Sequence, residues 1–258
     1  SLLFLSPQQA LVSFIVLGQA HFALGYLYRF KAGKVSLNNC LVYLILFLLI
    51  FSLPSFLDSK IILAITALLF SIHFFFDEAR IFKGDNNVSI LLIIPPVLLF
   101  FSSVLNIEMG LDLVPVSIGI SALIYILVFI SSRKKELQAK ENIYINAFTI
   151  FFILIYLLDY SVSGEALFGS IILMHIFTWY LFYHKKTWSN RKRNRQYLID
   201  VLVINLLLIG LYCLYDKQTV FAPLAILFNA TFYYCWAILH IITSSGTLWD
   251  STKNYFRT

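Results

Sequence analysis

The sequence predicts an all-α fold, a polytopic bundle of about nine transmembrane helices that takes up the whole chain. Hydrophobic residues make up 60% of the 258 residues and charged residues only 12%, whereas soluble domains carry roughly 25% charged residues. Each helix that crosses a bilayer needs about 20 residues. The apolar stretches therefore leave no room for a soluble domain, and residues 1–258 are predicted to form a single integral membrane domain.

The elements follow from nine apolar stretches. Within lipid such stretches must be helices, because the backbone groups have no water to bond, and they are too long for barrel strands. Pro95 and Pro96 fall inside the fourth stretch, where proline removes backbone donors and predicts a kink. In chain order the stretches cover residues 9–29, 37–57, 60–80, 88–106, 112–131, 143–160, 165–184, 197–215 and 219–243.

The basic residues predict the orientation of these helices. They are concentrated in the odd-numbered connections and near the C-terminus, which is typical of cytoplasmic loops. The N-terminus is thus predicted outside, the C-terminus in the cytoplasm and an odd number of helices between them. The net charge of +6 then indicates contact with anionic lipid and not with nucleic acid. The residues are Arg29, Lys31 and Lys34; Arg80 and Lys83; Arg133, Lys134, Lys135 and Lys140; Lys185, Lys186, Arg191, Lys192, Arg193 and Arg195; and Lys253 and Arg257.

Four histidines lie inside apolar stretches: His21, His73, His175 and His240. Their distances from the cytoplasmic ends of the first, third, seventh and ninth stretches differ by less than two helical turns, so they are predicted to form one layer. An ionisable side chain at membrane depth is costly and indicates a function. We expect the four to bind a metal ion. For each one alone, a hydrogen bond to a neighbouring helix is the alternative.

The third stretch adds two carboxylates, Asp77 and Glu78, as candidate catalytic side chains. His73 and Asp77 are four residues apart and share a helix face, which makes Asp77 the stronger candidate. Glu78 lies about 140° from His73 and is expected to point to a neighbouring helix or to the headgroups. Imidazoles with an acidic group suit Fe(II), Zn(II), Cu(II) or Ni(II). Non-haem Fe(II) is favoured, because four histidines leave open positions on a six-coordinate ion for O₂.

Aromatic residues flank the histidines, and Phe74, Trp179, Tyr180 and Trp236 are candidates for substrate binding. A pocket that is mostly apolar with a few polar groups is typical of small-molecule sites. These residues would suit a long apolar or polyene substrate. Helix packing and the aromatic belts at the membrane interfaces are the alternative roles for each of them.

Four short blocks contain these histidines and their neighbours: Gly18-Gln19-Ala20-His21-Phe22-Ala23-Leu24-Gly25, Ile72-His73-Phe74 with Asp77-Glu78, Met174-His175-Ile176-Phe177-Thr178-Trp179, and Leu239-His240. The blocks resemble the Brp/Blh family of bacterial and archaeal membrane β-carotene 15,15′-dioxygenases, which cleave β-carotene to retinal with a histidine-bound iron. Where that family has glycine and aspartate in the first block, this chain has Phe22 and Gly25, and Trp179 stands where the late block has a second histidine. One family ligand is therefore lost or replaced, by His240 or Asp77.

The resemblance implies an iron-dependent oxygenase, a membrane-embedded protein that oxidatively cleaves a carotenoid or another isoprenoid. Its partners would be the lipid bilayer and that apolar substrate, and its location the inner (cytoplasmic) membrane of a bacterium. Two alternatives stay open: a non-enzymatic pigment- or haem-binding subunit of a larger membrane complex, and a lipid desaturase or hydroxylase. The desaturase interpretation lacks the expected H-x-x-x-H clusters. A transporter ranks last, because the apolar stretches hold few carboxylates.

Overall fold

Every regular element in the described part of the computed structural model is a helix, which confirms the all-α prediction. The structure describes residues 7–31, 33, 37–81, 91–132, 143–158, 164–216 and 222–255. Two 3₁₀ turns, Leu53–Ser55 and Ala222–Leu224, accompany the α-helices. These are α1 (Pro7–Lys31), α2 (Leu37–Ser52), α3 (Ser59–Ile81), α4 (Ile94–Met109), α5 (Val114–Ser132), α6 (Ile143–Leu158), α7 (Gly164–Thr187), α8 (Arg191–Asp216), α9 (Ala225–Phe228) and α10 (Ala230–Tyr255).

Three of these helices are long and apolar enough to cross a membrane, within α3 (Ser59–Glu78), α7 (Leu167–Thr187) and α8 (Arg191–Tyr215). Shorter apolar helices lie in α2, α4 and α5. A 16-residue helix such as α2 or α4 is about 24 Å long, less than the ~30 Å of a bilayer core. The structure therefore fits a membrane protein, and the count of nine spans and the orientation stay predictions.

The fourth predicted stretch has a helix start where a kink was expected. Helix α4 begins at Ile94, and Pro95 and Pro96 occupy its first turn. Proline is well tolerated there, because the first backbone N–H groups of a helix have no partner within it. The residues just before the helix, Leu92 and Ile93, form a turn. Leu91, just before that turn, is helical, so the described part of this stretch is interrupted at Leu92 and Ile93, immediately before the two prolines. The kink expected from the prolines stays a prediction.

The ninth predicted stretch is not one helix. The chain becomes extended at Asn229 (ψ 135°), between the single turn α9 and the long helix α10. The Asn229 side chain accepts the backbone N–H of Thr231 at 2.9 Å, as a helix N-cap does. Two side chains bond the carbonyls freed at the end of α9: Gln19 donates to Leu227 at 2.8 Å and Trp236 to Ile226 at 2.9 Å. Capping thus stabilises a break that hydropathy does not reveal.

The chain divides into two compact units. The first unit comprises Ser1–Leu11, Ser71–Thr178 and Ser251–Thr258. In it α4 packs against α5, and Phe100 of α4 stacks on Phe168 of α7 with ring centroids 5.2 Å apart. The Tyr125 hydroxyl of α5 donates to Asn146 of α6 at 2.8 Å. This unit contains His73 and His175.

The second unit comprises Val12–Phe70 and Trp179–Asp250. Its apolar core joins α2, α3 and α10 through five buried residues: Ile50, Ile62, Cys235, Ile238 and Leu239. Helix α1 is tied to α10 by Tyr26, whose hydroxyl lies 3.0 Å from that of Thr243. It is tied to α8 by Tyr28, which donates to Asp200 at 2.8 Å. This unit contains His21 and His240.

Candidate metal centre

Within the first unit the structure brings together His73, Asp77 and His175. One ligand atom from each lies within 4.8 Å of the other two, and the three side chains are all buried. The i, i+4 spacing on α3 sets Nε2 of His73 3.1 Å from Oδ2 of Asp77. The His175 ring, on α7, has its centroid 6.0 Å from that of His73. Among the described residues, His73, Asp77 and His175 thus form a group of three potential ligands that could hold a metal ion.

A second carboxylate supports this group from outside. Glu78 is fully buried, and its Oε1 lies 3.0 Å from Nδ1 of His175. The sequence left open whether Glu78 points to a neighbouring helix or to the lipid headgroups; it points to the neighbouring helix α7. A hydrogen bond of this kind holds the proton on Nδ1 and leaves Nε2 of the imidazole for a metal ion, and metal-bound histidines usually have such a partner. Phe74 packs on the same ring, with centroids 5.0 Å apart.

The distance between His73 and Asp77 is compatible with one small divalent cation. Two ligand atoms bound about 2.1 Å from the same ion lie about 3.0–3.4 Å apart, and the His73–Asp77 distance of 3.1 Å matches this spacing. The carboxylates of Asp77 and Glu78 could also balance the two charges of such an ion, which otherwise would be costly in an apolar interior. Two imidazoles and one carboxylate suit Fe(II) with open positions, and Zn(II) with a bound water.

The other two predicted ligands form a separate pair in the second unit. The rings of His21 and His240 lie edge to face with centroids 5.2 Å apart, and both side chains are buried. Phe22 stacks on His240 at 4.7 Å, and Trp179 lies edge-on to His21 at 5.8 Å. Neither histidine belongs to a group of three or more potential ligands among the described residues. The single four-histidine site stays a prediction.

The candidate substrate residues have different surroundings. Phe74 packs on the ring of His175, one of the three potential metal ligands. In the second unit, Trp179 stacks on Tyr183 at 4.7 Å, and the Tyr180 carbonyl accepts the hydroxyl of Tyr197 at 3.0 Å. Trp236 packs on Phe47 and Phe51 in addition to its bond at the helix break. These contacts give Trp179, Tyr180 and Trp236 packing roles, and their predicted role with a substrate is untested.

Sequence reasoning missed Gly25 as a neighbour of the histidine pair. A Cβ at this position would lie 3.1 Å from Cε1 of His240, so the absence of a side chain lets the imidazole approach α1. The available signal was a glycine one helical turn after His21. The spacing of three residues on α3 also lets Asp77 pair with Arg80, but the Arg80 side chain lies outside the described residues.

Comparisons with protein families, with curated proteins and with solved structures found no match to this chain.

Proposed function

We propose that the chain is an integral membrane metalloprotein of the Brp/Blh type in which His73, Asp77 and His175 bind a non-haem Fe(II). Its reaction is the oxidative cleavage of a carbon–carbon double bond in a carotenoid or another isoprenoid. Bound Fe(II) would supply the redox chemistry that lets O₂ add across the double bond, so that each of the two new carbonyl groups receives one oxygen atom.

The observation that carries this proposal is the buried set of two histidines and one aspartate. Two histidines and one carboxylate would leave positions on the ion for other molecules, and this set of ligands is typical of non-haem iron oxygenases. A bound ion would also explain why Asp77 is buried near the end of the apolar helix α3, since its charge would compensate that of the ion. His240 is then not needed to replace the ligand that the resembling family has at Trp179.

Glu78 and Phe74, which contact the His175 ring, have separate roles in this proposal. Glu78 positions the His175 ring and keeps its proton on Nδ1. Phe74, packed against that ring, excludes water and offers an apolar surface to a substrate. A site lined in this way suits a long hydrocarbon better than a polar metabolite. The packing of His240 against Phe22 and His21 gives no specific support to haem as the alternative cofactor.

The membrane placement belongs to the same proposal. Large apolar side chains are exposed along α5 and α8, and surfaces of this kind are unfavourable in water but not in lipid. We infer nine spans with the N-terminus outside, the cytoplasmic membrane of a bacterium as the location, and the bilayer itself as the source of the apolar substrate. A larger membrane complex stays as an alternative setting for the same metal centre.

Metal analysis of the detergent-purified protein tests the proposal. We expect about one iron per chain after preparation with Fe(II), a large loss in His73→Ala and His175→Ala, and no Soret band in the absorption spectrum. Carotenoid cleavage by the iron-loaded protein, followed by carbonyl products in chromatography, is the second measurement.

Several outcomes would contradict the proposal. A chain that is correctly folded yet binds no iron in any preparation would leave two buried histidine–carboxylate pairs with a purely structural role. One zinc per chain, with no iron bound in competition, would indicate hydrolytic chemistry. A Soret band lost with His21 or His240 would favour the haem-binding subunit.

A further inference from the structure

The first turns of α8 carry four exposed cations, and three of them, Arg191, Lys192 and Arg195, share one helix face. Arg191, Lys192, Arg193 and Arg195 are all exposed. None of the four takes part in an ion pair with the described residues. The acidic residue nearest in sequence on this helix, Asp200, is already bonded to Lys31, Tyr28 and Gln196. The positive charge of this face is therefore available to another molecule.

The same face becomes apolar one turn further along. At 100° per residue, Arg191, Arg195, Leu198, Ile199 and Leu202 fall within about 100° of helix surface. Together with Lys192, Asn194 and Gln196 they line one open groove. The three apolar side chains are 43–59% exposed. A stripe thus runs from cations at the helix start to exposed hydrocarbon in the part of α8 that can cross a membrane.

Tyr197 and Leu208 show that this stripe faces away from the unit. Both are buried, at 4% and 8% exposure, and they lie on the opposite side of α8. In the most apolar segment of α8 only 11% of the residues are buried, compared with 50% in the corresponding segment of α7. Helix α8 is therefore a peripheral helix of the second unit, and the stripe on it is exposed.

We propose that this stripe is a binding site for an anionic phospholipid. Arg191 and Arg195, with Lys192 at the edge, bind the headgroup phosphate, and one acyl chain lies along Leu198, Ile199 and Leu202. Charge complementarity selects an anionic head, and the apolar continuation selects a ligand with a hydrocarbon tail. Nucleic acid satisfies only the first condition and a neutral lipid only the second. The proposal is independent of the metal centre in the first unit.

Native mass spectrometry of the detergent-purified full chain tests this site. Phosphatidylglycerol and phosphatidylcholine with identical acyl chains are titrated in parallel. We expect at least 10-fold tighter binding of phosphatidylglycerol. Arg191→Ala/Arg195→Ala should weaken it by about 25-fold, because each basic residue near an anionic headgroup contributes a factor of about 5. The charge-matched control is Arg193→Ala/Lys60→Ala, since Arg193 faces away from the stripe and Lys60 lies on α3. It should change the affinity by less than about 2-fold.

Three results would overturn the proposal. Equal affinity for the two lipids would remove the headgroup selectivity, and equal losses in the two double variants would show a diffuse effect of net charge. Displacement of the lipid by inorganic phosphate in about 100-fold excess would show that the cations bind a free anion without help from the apolar stripe. Circular dichroism of each variant establishes that the helices remain folded.

Discussion

The two histidine pairs are equally buried but have different neighbours. His73 and His175 in the first unit meet two buried carboxylates, Asp77 and Glu78. His21 and His240 in the second unit are packed among the rings of Phe22, Tyr26 and Trp179. Burial in an apolar helix is common to both pairs, so burial alone does not distinguish a candidate metal site from a packed histidine. The carboxylates make the first pair the candidate, because they can supply ligand atoms and the compensating charge.

The largest expected effect is a difference in bound iron between a variant of the first histidine pair and a variant of the second. His175→Ala removes a ligand, and the loss of iron affinity should exceed the 10- to 100-fold typical of an outer-shell partner. His21→Ala/His240→Ala should retain about one iron per chain, since neither ring belongs to the group of His73, Asp77 and His175. Metal analysis after equilibration with a graded Fe(II) chelator measures both. Equal losses in the two variants would break the comparison and restore a site made of four histidines.

The second prediction concerns Glu78, which acts through His175. Glu78→Ala should lower metal affinity by about 10- to 100-fold. Glu78→Gln should cost less, because its side-chain oxygen still accepts the Nδ1 proton. With Co(II) bound, the visible absorption bands should shift in the alanine variant and partly return in the glutamine variant. Asp58→Asn, at an exposed position before α3, is the control. Unchanged bands in both Glu78 variants would mean that Glu78 only fills space.

The third prediction tests how tightly the aromatic surroundings of His21 and His240 are packed. Gly18→Ala places a Cβ against the ring of Tyr233, and this ring is held between Phe14 and Phe22. Overpacking of this kind costs about 1–3 kcal/mol, so the thermal unfolding midpoint in detergent should be lower than that of Gly210→Ala, which gains the same helix propensity. Gly210→Ala is the matched control, because nothing lies within 4 Å of its added Cβ. An equal midpoint for the two variants would show that Tyr233 moves aside freely.

The sequence predicted these features unequally, for physical reasons. Hydropathy located the helices, and the i, i+4 spacing placed His73 beside Asp77, because both follow from local geometry. The partnership of Glu78 with His175 depends on how α3 packs against α7. Periodicity does not reveal this packing when buried and lipid-facing surfaces are both apolar. The break at Asn229 was missed because the carbonyl groups that it frees are bonded by Gln19 of α1 and Trp236 of α10, and hydropathy reveals neither bond.

The smallest expected effect comes from Gly25→Ala and bears most directly on the comparison. The new Cβ would lie 3.1 Å from Cε1 and 3.7 Å from Nδ1 of His240, so the imidazole must shift by a few tenths of an ångström against Phe22. Stability should change by less than about 1 kcal/mol, because the gain in helix propensity offsets the contact. If His240 is a packed ring, iron content stays the same despite this shift. A ligand displaced by the same amount would lose affinity, so parallel loss of iron in Gly25→Ala would make the second pair part of the metal centre.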